Sequence, residues 1–95
     1  TDATREEQRE QDKEMRILAR KKEKEEALKE RKRIKERADN EARIAEAEEE
    51  LASVEAELCK EEVYTDPARA ALWSNRLQTV KNELETLYEE WLDMP

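Results

Sequence analysis

The chain has 95 residues, of which 48% are charged and 4% aromatic; its net charge is −8, and it contains no Gly, His or Phe. This composition excludes a globular core and is typical of a long helix or coiled coil. Phosphate-binding loops and nucleophile elbows need Gly, and zinc clusters need Cys and His. We therefore expect no catalytic motif, no cofactor site, no metal site and no enzyme activity in these residues.

Cys59 is the only cysteine, so an internal disulfide is excluded and a reducing, cytoplasmic location is expected. No apolar run approaches the roughly 20 residues of a membrane span, so we expect no membrane contact. Because the chain begins at Thr1 rather than Met, we expect it to be part of a longer protein.

Residues 1–33 are predicted to be a charged lead-in, either a single helix or partly disordered. Their apolar residues point in scattered directions, and pairs such as Asp12–Arg16 and Glu30–Arg33 add only about 0.2–0.5 kcal/mol each to helix stability. We expect helix from about Lys21 and fraying before it.

Charge is unevenly distributed along the chain. Residues 1–40 carry +2, residues 41–95 carry −10, and the segment Lys13–Arg37 carries +6. On a helical projection, six basic residues of this segment share a sector about 100° wide that contains no acidic residue. We call them the stripe: Lys13, Arg16, Arg20, Lys24, Arg31 and Lys35.

The stripe predicts binding to the phosphate backbone of ribosomal RNA or DNA, with affinity derived mainly from counterion release. No aromatic residue lies among these charges, so base stacking is not expected. The alternative is a solvated helix whose charges neutralise one another.

Residues 34–95 are predicted to form an antiparallel two-helix coiled-coil hairpin. Two rows of residues spaced by steps of 3 and 4 support this prediction. The first row is Ile44, Ala47, Leu51, Val54 and Leu58; the second is Ala70, Trp73, Leu77, Val80, Leu84, Leu87, Trp91 and Met94.

The break between the helices is predicted from Pro67, which suits the first turn of a helix, and Asp66, a good N-cap. Helix 1 should end at about residue 61, a turn should cover 62–66, and helix 2 should cover 67–93. Val63 should pack against the hairpin tip. Tyr64 should either pack there or remain an exposed contact residue.

Pairing the two rows gives one register, in which facing residue numbers add up to about 129. It brings Leu51 to Leu77, sets Ala38 opposite Trp91, and sets Ile34 opposite Met94. The heptad phase is expected to slip between Ala38 and Ile44. We expect a monomer; an intermolecular coiled coil is the alternative.

The tip and the end of helix 2 resemble the C-terminal extension of ABC-F proteins, which are cytosolic ATP-binding-cassette proteins without a membrane domain. The matching elements are Glu62-Val63-Tyr64, Thr65-Asp66-Pro67 and Tyr88-Glu89-Glu90-Trp91. Lys60-Glu61 stand where the family often has Asp-Pro.

The resemblance implies that the parent protein is an ATPase acting on the ribosome in translation, or on DNA. It implies that ATP and Mg²⁺ bind in other domains of the parent, and that this extension contacts nucleic acid or the ribosome. The competing hypothesis is a structural or protein-docking hairpin that binds no nucleic acid, because the strongly acidic residues 41–95 would repel phosphate.

Overall fold

The computed structural model describes all 95 residues, which form three α-helices and no strand. α1 spans Asp2–Leu58, α2 spans Glu61–Tyr64 and α3 spans Pro67–Asp93. The predicted all-α class is confirmed. None of the three helices combines the length and apolar character that a membrane crossing requires. Internal contacts divide the chain into residues 1–34, called the stem below, and residues 35–95.

The stem is helical from Asp2, so the predicted fraying or partial disorder before Lys21 is wrong. Thr1 Oγ1 accepts a hydrogen bond from the amide of Thr4 at 3.3 Å, which satisfies one of the free N–H groups of the first turn. Gln8 Nε2 donates to the Asp12 carboxylate at 3.0 Å. Local polar bonds of this kind support a helix without an apolar seam.

Two of the predicted stem pairs have different outcomes. Arg33 Nη1 lies 3.5 Å from Glu30 Oε2, as the spacing predicts. Arg16 Nε instead donates to the backbone carbonyl of Asp12 at 3.4 Å, while the Asp12 carboxylate accepts from Gln8. The stem is therefore stabilised by side-chain to backbone bonds as well as by ion pairs.

The apolar seam of α3 follows the predicted heptad row. The eight predicted positions are buried or half-buried, and every other residue from Pro67 to Pro95 is exposed. Val80 is fully buried, at 0% exposure. The spacing of 3 and 4 puts these side chains on one face of the helix.

The seam of α1 contains the five predicted apolar residues and one polar residue that the apolar pattern does not predict. Asn40 is buried, at 3% exposure, and stands four residues before Ile44. It continues the heptad spacing, so the expected phase slip between Ala38 and Ile44 is wrong. Ala38, predicted to face Trp91, is exposed. Ile34, predicted to face Met94, lies in the stem and is 61% exposed.

Residues 35–95 enclose one apolar core between α1 and α3. Its members come from both seams: Ile44, Ala47, Val80, Leu84 and Leu87, with Leu51 and Trp91 packed against them. Asn40 contacts Leu87, and Glu50 contacts Arg76 further along α1.

The connection between α1 and α3 is two tight turns flanking α2, so the prediction that helix 1 continues to about residue 61 is wrong. Cys59 and Lys60 close the end of α1 through i to i−3 backbone bonds, and Lys60 is extended. Glu61 and Glu62 then occupy the first turn of α2. A helix N-terminus favours carboxylates, whereas the last turn of α1 would disfavour them.

The start of α3 is fixed by Asp66 and Pro67, as the sequence predicts. Asp66 Oδ1 accepts from the amides of Ala68 at 3.0 Å and Arg69 at 3.2 Å. Val63 is buried at the tip, at 4% exposure, whereas Tyr64 is 59% exposed. The prediction that Tyr64 remains exposed is confirmed, and the alternative that it packs at the tip is wrong.

Candidate nucleic-acid interface

All six stripe residues lie on α1 and are exposed. Five of them belong to the stem, and Lys35 is the first residue of the second unit. Because the stem is one uninterrupted helix, Lys13, Arg16, Arg20, Lys24 and Arg31 share a face about 100° wide. Arg16 bonds the Asp12 carbonyl, and no stripe residue takes part in an ion pair. Their charges therefore remain accessible to an anion.

Apolar side chains lie beside these charges. Lys24, Ala27, Leu28 and Arg31 line one shallow surface depression, and Leu28 is 62% exposed. Ile17 is 47% exposed and projects near the edge of the same face. The stem face is thus cationic with small apolar contacts, which suits the sugar-phosphate backbone of a nucleic acid but offers no ring for stacking on a base.

Just beyond the stripe, three side chains bind one another around the end of α3. Arg37 Nε lies 3.4 Å from Glu41 Oε1, and Trp91 Nε1 donates to the same oxygen at 3.3 Å. The Arg37 guanidinium carbon lies 5.2 Å from the centroid of the Trp91 ring, within cation–π range. One carboxylate oxygen therefore joins a cation of α1 to the indole of α3.

Asn40 adds a buried hydrogen bond to the same region. Its Nδ2 donates to the backbone carbonyl of Leu87 at 3.1 Å, and its Oδ1 is buried without a partner. We call these five residues the clasp: Arg37, Asn40, Glu41, Leu87 and Trp91. The heptad pattern of apolar residues does not predict the clasp, because Arg37 and Asn40 are polar side chains at heptad positions.

Two ionisable side chains of residues 35–95, Tyr88 and Lys60, have raised pKa values. The Tyr88 hydroxyl donates to Glu48, and this bond, together with burial and the charge of Glu48, raises the pKa of Tyr88. The Lys60 ammonium donates to Glu57 Oε1 at 2.6 Å, and that bond and the charge of Glu57 raise the pKa of Lys60. Both shifts move the pKa further above neutral pH, so the Tyr88 hydroxyl and the Lys60 ammonium keep their protons there.

A groove of about 600 Å³ runs along the side of α1 and α3 near the tip. Val54, Leu72 and Trp73 supply apolar walls, and the ion pair between Glu50 and Arg76 lies at the same groove. The two charges neutralise each other, so the groove carries no charge preference for a ligand. It belongs to the acidic half of the chain and is separate from the stripe.

The chain matches a known protein family. The family model described as "ABC transporter C-terminal domain" matches residues 2–94, which is nearly the whole chain. No curated protein and no solved structure matches the chain significantly. The family match covers both the stem and residues 35–95.

Proposed function

Because the chain belongs to the ABC transporter C-terminal domain family, we propose that it is the nucleic-acid- or ribosome-contacting C-terminal domain of a cytoplasmic ABC-F ATPase. In this proposal ATP and Mg²⁺ bind in other domains of the parent protein, and these residues have no catalytic role. The subfamily rests on the elements Glu62-Val63-Tyr64, Thr65-Asp66-Pro67 and Tyr88-Glu89-Glu90-Trp91. Their local structure supports their role in building the turn, since Val63 is buried and Asp66 caps α3.

The proposed architecture is an antiparallel two-helix coiled-coil hairpin made by the second half of α1 and by α3. Three observations support it: two heptad seams, a shared core that includes Ile44 and Leu84, and cross-helix bonds such as Asn40 to Leu87. In a hairpin of this kind the apolar seams of α1 and α3 bury each other within one chain. We therefore propose that the domain is a monomer.

The single observation that carries the proposed function is the exposed cationic face of the stem, which carries no acidic residue from Lys13 onward. Lys13, Arg16, Arg20, Lys24 and Arg31 are all accessible, and no carboxylate is paired with them. Phosphates can approach such a face without first breaking ion pairs, and counterion release then supplies the affinity. Contact would be to the nucleic-acid backbone and its shape rather than to base edges.

A second candidate function is protein docking, favoured by the charge of residues 41–95, which is −10. That surface would repel phosphate and attract a basic protein surface. The two functions use different parts of the chain. They are distinguished by whether binding depends on the stem or on residues 41–95.

The experiment is a salt titration of binding, measured as the fluorescence anisotropy of labelled duplex RNA and duplex DNA. We expect weak binding at low salt, with an affinity that falls linearly on logarithmic axes as salt rises. Substituting Arg20, Lys24 and Arg31 together by Glu should abolish it. Binding that is insensitive to salt, or absent at the lowest salt, contradicts the proposed function.

A matched control comes from the same stretch of helix. Lys21, Lys22 and Lys29 are exposed but project outside the stripe sector. Their combined substitution by Glu changes the net charge equally, so a general electrostatic effect would weaken binding as much as the stripe variant does. We expect the control to retain measurable binding, and circular dichroism should show equal helicity for both variants.

A further inference from the structure

We propose that the C-terminal end of α3 is a docking surface for a basic amphipathic helix of a partner protein. The surface, called the C-terminal patch below, consists of Tyr88, Trp91 and Leu92. It lies within residues 35–95, so this inference goes beyond nucleic-acid contact and does not depend on the stripe. It gives a site and a partner chemistry to the protein docking that the acidic charge of residues 41–95 favours.

The side chains of the C-terminal patch are adjacent and accessible. Tyr88 and Leu92 are 44% and 73% exposed, and they stand four residues apart on one helix, which makes them neighbours on its surface. Trp91 is half-buried and stands between them in the sequence, three residues after Tyr88. Apolar side chains that are exposed together, rather than singly, are typical of a surface that a partner covers.

Two hydrogen bonds to α1 hold the aromatic rings of the C-terminal patch in place. The Tyr88 hydroxyl donates to Glu48, and Trp91 Nε1 donates to Glu41 Oε1 at 3.3 Å. Aromatic side chains that are already fixed lose little conformational entropy when a partner binds. The C-terminal patch is therefore preorganised for contact.

The charge around the C-terminal patch favours a cationic partner. Glu85 stands three residues before Tyr88, and Glu89 stands three residues before Leu92, so both carboxylates lie beside the patch. Both are exposed and take part in no ion pair. The acidic residues on or beside the patch are Glu41, Glu48, Glu85, Glu89 and Asp93, and the nearby cations are Arg37 and Lys81. A helix with Leu on one face and Lys or Arg beside it complements both the apolar side chains and the carboxylates.

The other strongly exposed leucine of α3 has a different setting. Leu72 is 66% exposed, but it lines the groove in which Glu50 and Arg76 neutralise each other. Exposure is similar for Leu72 and Leu92, whereas unpaired carboxylates flank only Leu92. Leu72 therefore provides the matched control.

The experiment uses the full chain with Trp73→Phe, which leaves Trp91 as the only tryptophan. The probe is a labelled synthetic helix of about 15 residues, with Leu along one face and Lys and Ala elsewhere. Its fluorescence anisotropy and the emission of Trp91 are recorded in the same titration at low salt. We expect binding with a blue shift of Trp91 emission at the same midpoint, because the probe removes the indole from water. The absence of binding, or binding with unaltered Trp91 emission, overturns the proposal.

One pair of variants tests the apolar contact. Leu92→Ser should weaken binding of the probe about three- to tenfold, whereas Leu72→Ser should leave it unchanged. Both leucines are exposed, so circular dichroism should show equal helicity for the two variants. Equal losses of affinity overturn the proposal, since any exposed leucine would then serve.

A second pair tests the charge. Replacing Glu85 and Glu89 together by Gln should weaken binding more than the same replacement of Glu61 and Glu62, which removes equal charge at α2. Equal losses in this pair also overturn the proposal, because attraction to the overall negative charge would explain them.

Sedimentation of the chain without the probe tests for another occupant. A monomer leaves the C-terminal patch open, as the proposal requires. A dimer that Leu92→Ser converts to a monomer would mean that a second copy covers the patch, and this result overturns the proposal. Failure of the probe to bind would leave the nucleic-acid function standing, because that function is tested separately with duplex RNA and depends on the stem.

Discussion

Asn40 donates its side-chain amide to the backbone carbonyl of Leu87 at 3.1 Å, across the interface between α1 and α3. Asn40 is the only buried polar residue of the chain, and its Oδ1 has no partner. A single polar residue in an apolar seam lowers stability but favours the one register in which its hydrogen bond forms. We expect this bond to favour one alignment of α1 and α3 along their largely apolar interface.

Asn40→Leu should stabilise residues 35–95 by about 1 kcal/mol, because it replaces a buried, half-satisfied amide with an apolar group. The free energy of unfolding in urea, followed by tryptophan fluorescence, measures the change. The same variant should relax the register, which is visible as a broader distance distribution between spin labels at Arg43 and Glu89 in a Cys59→Ser background.

The isosteric change Asn40→Asp provides the opposite control. An ionised carboxylate only accepts hydrogen bonds, so it cannot donate to the Leu87 carbonyl and would leave a charge in the seam. We expect a loss of about 2 kcal/mol or more in the free energy of unfolding. If Asn40→Leu lowered the free energy of unfolding as Asn40→Asp does, the destabilisation that we assign to the unpaired Asn40 Oδ1 would be wrong.

Trp91→Ala should lower the free energy of unfolding by about 2 kcal/mol, roughly half the cost of truncating a fully buried aromatic residue, because the indole is only half-buried. Urea unfolding monitored through Trp73 measures this loss. Trp91→Phe separates the contributions: it keeps much of the packing against the core but lacks the Nε1 donor to Glu41. An unchanged midpoint for Trp91→Ala would show that the end of α3 is not attached as described.

The apolar part of the fold could be predicted from the sequence, and the polar part could not. The seam of α3 follows directly from the spacing of Trp73, Val80 and Leu84, since only apolar side chains gain from burial there. Arg37 and Asn40 continue the heptad spacing on α1. From the sequence alone, a polar residue at a heptad position cannot be distinguished from one that faces solvent. Only the structure shows that Asn40 bonds Leu87 and that Arg37 contacts Trp91.

The ends of the helices show the same contrast. Asp66 and Pro67 carry local signals that do not depend on the rest of the chain, so the start of α3 could be predicted. The end of α1 at Leu58 has no Gly or Pro to mark it, so local sequence signals do not predict where this helix ends. The stripe could be listed from periodicity, but nothing in the sequence identifies its ligand.

Asp66→Ala should destabilise α3 by about 1 kcal/mol, because it removes the acceptor for the amides of Ala68 and Arg69. Asp66→Asn retains a side-chain oxygen and should cost much less. Thermal unfolding followed by circular dichroism measures both. If both variants lose the same stability, the charge of Asp66 contributes more than its capping hydrogen bonds. That charge acts on the helix dipole and on Arg69, whose Nε lies 3.6 Å from Asp66 Oδ2.

Stability should fall at alkaline pH as Tyr88 loses its proton. Its hydroxyl donates to Glu48, which raises the pKa of Tyr88, so the folded state holds the proton more tightly than the unfolded state does. The contribution is fully present below the ordinary tyrosine pKa of about 10 and is lost as pH rises through the higher folded value. Glu57 likewise raises the pKa of Lys60, so the contribution of Lys60 to stability is also lost as pH rises through its folded pKa.

A tyrosinate absorbance titration of the Tyr64→Phe variant isolates Tyr88. Glu48→Gln should return the pKa of Tyr88 toward the ordinary value. If the Tyr88 titration curve is identical with and without this substitution, the hydrogen bond from Tyr88 to Glu48 is contradicted.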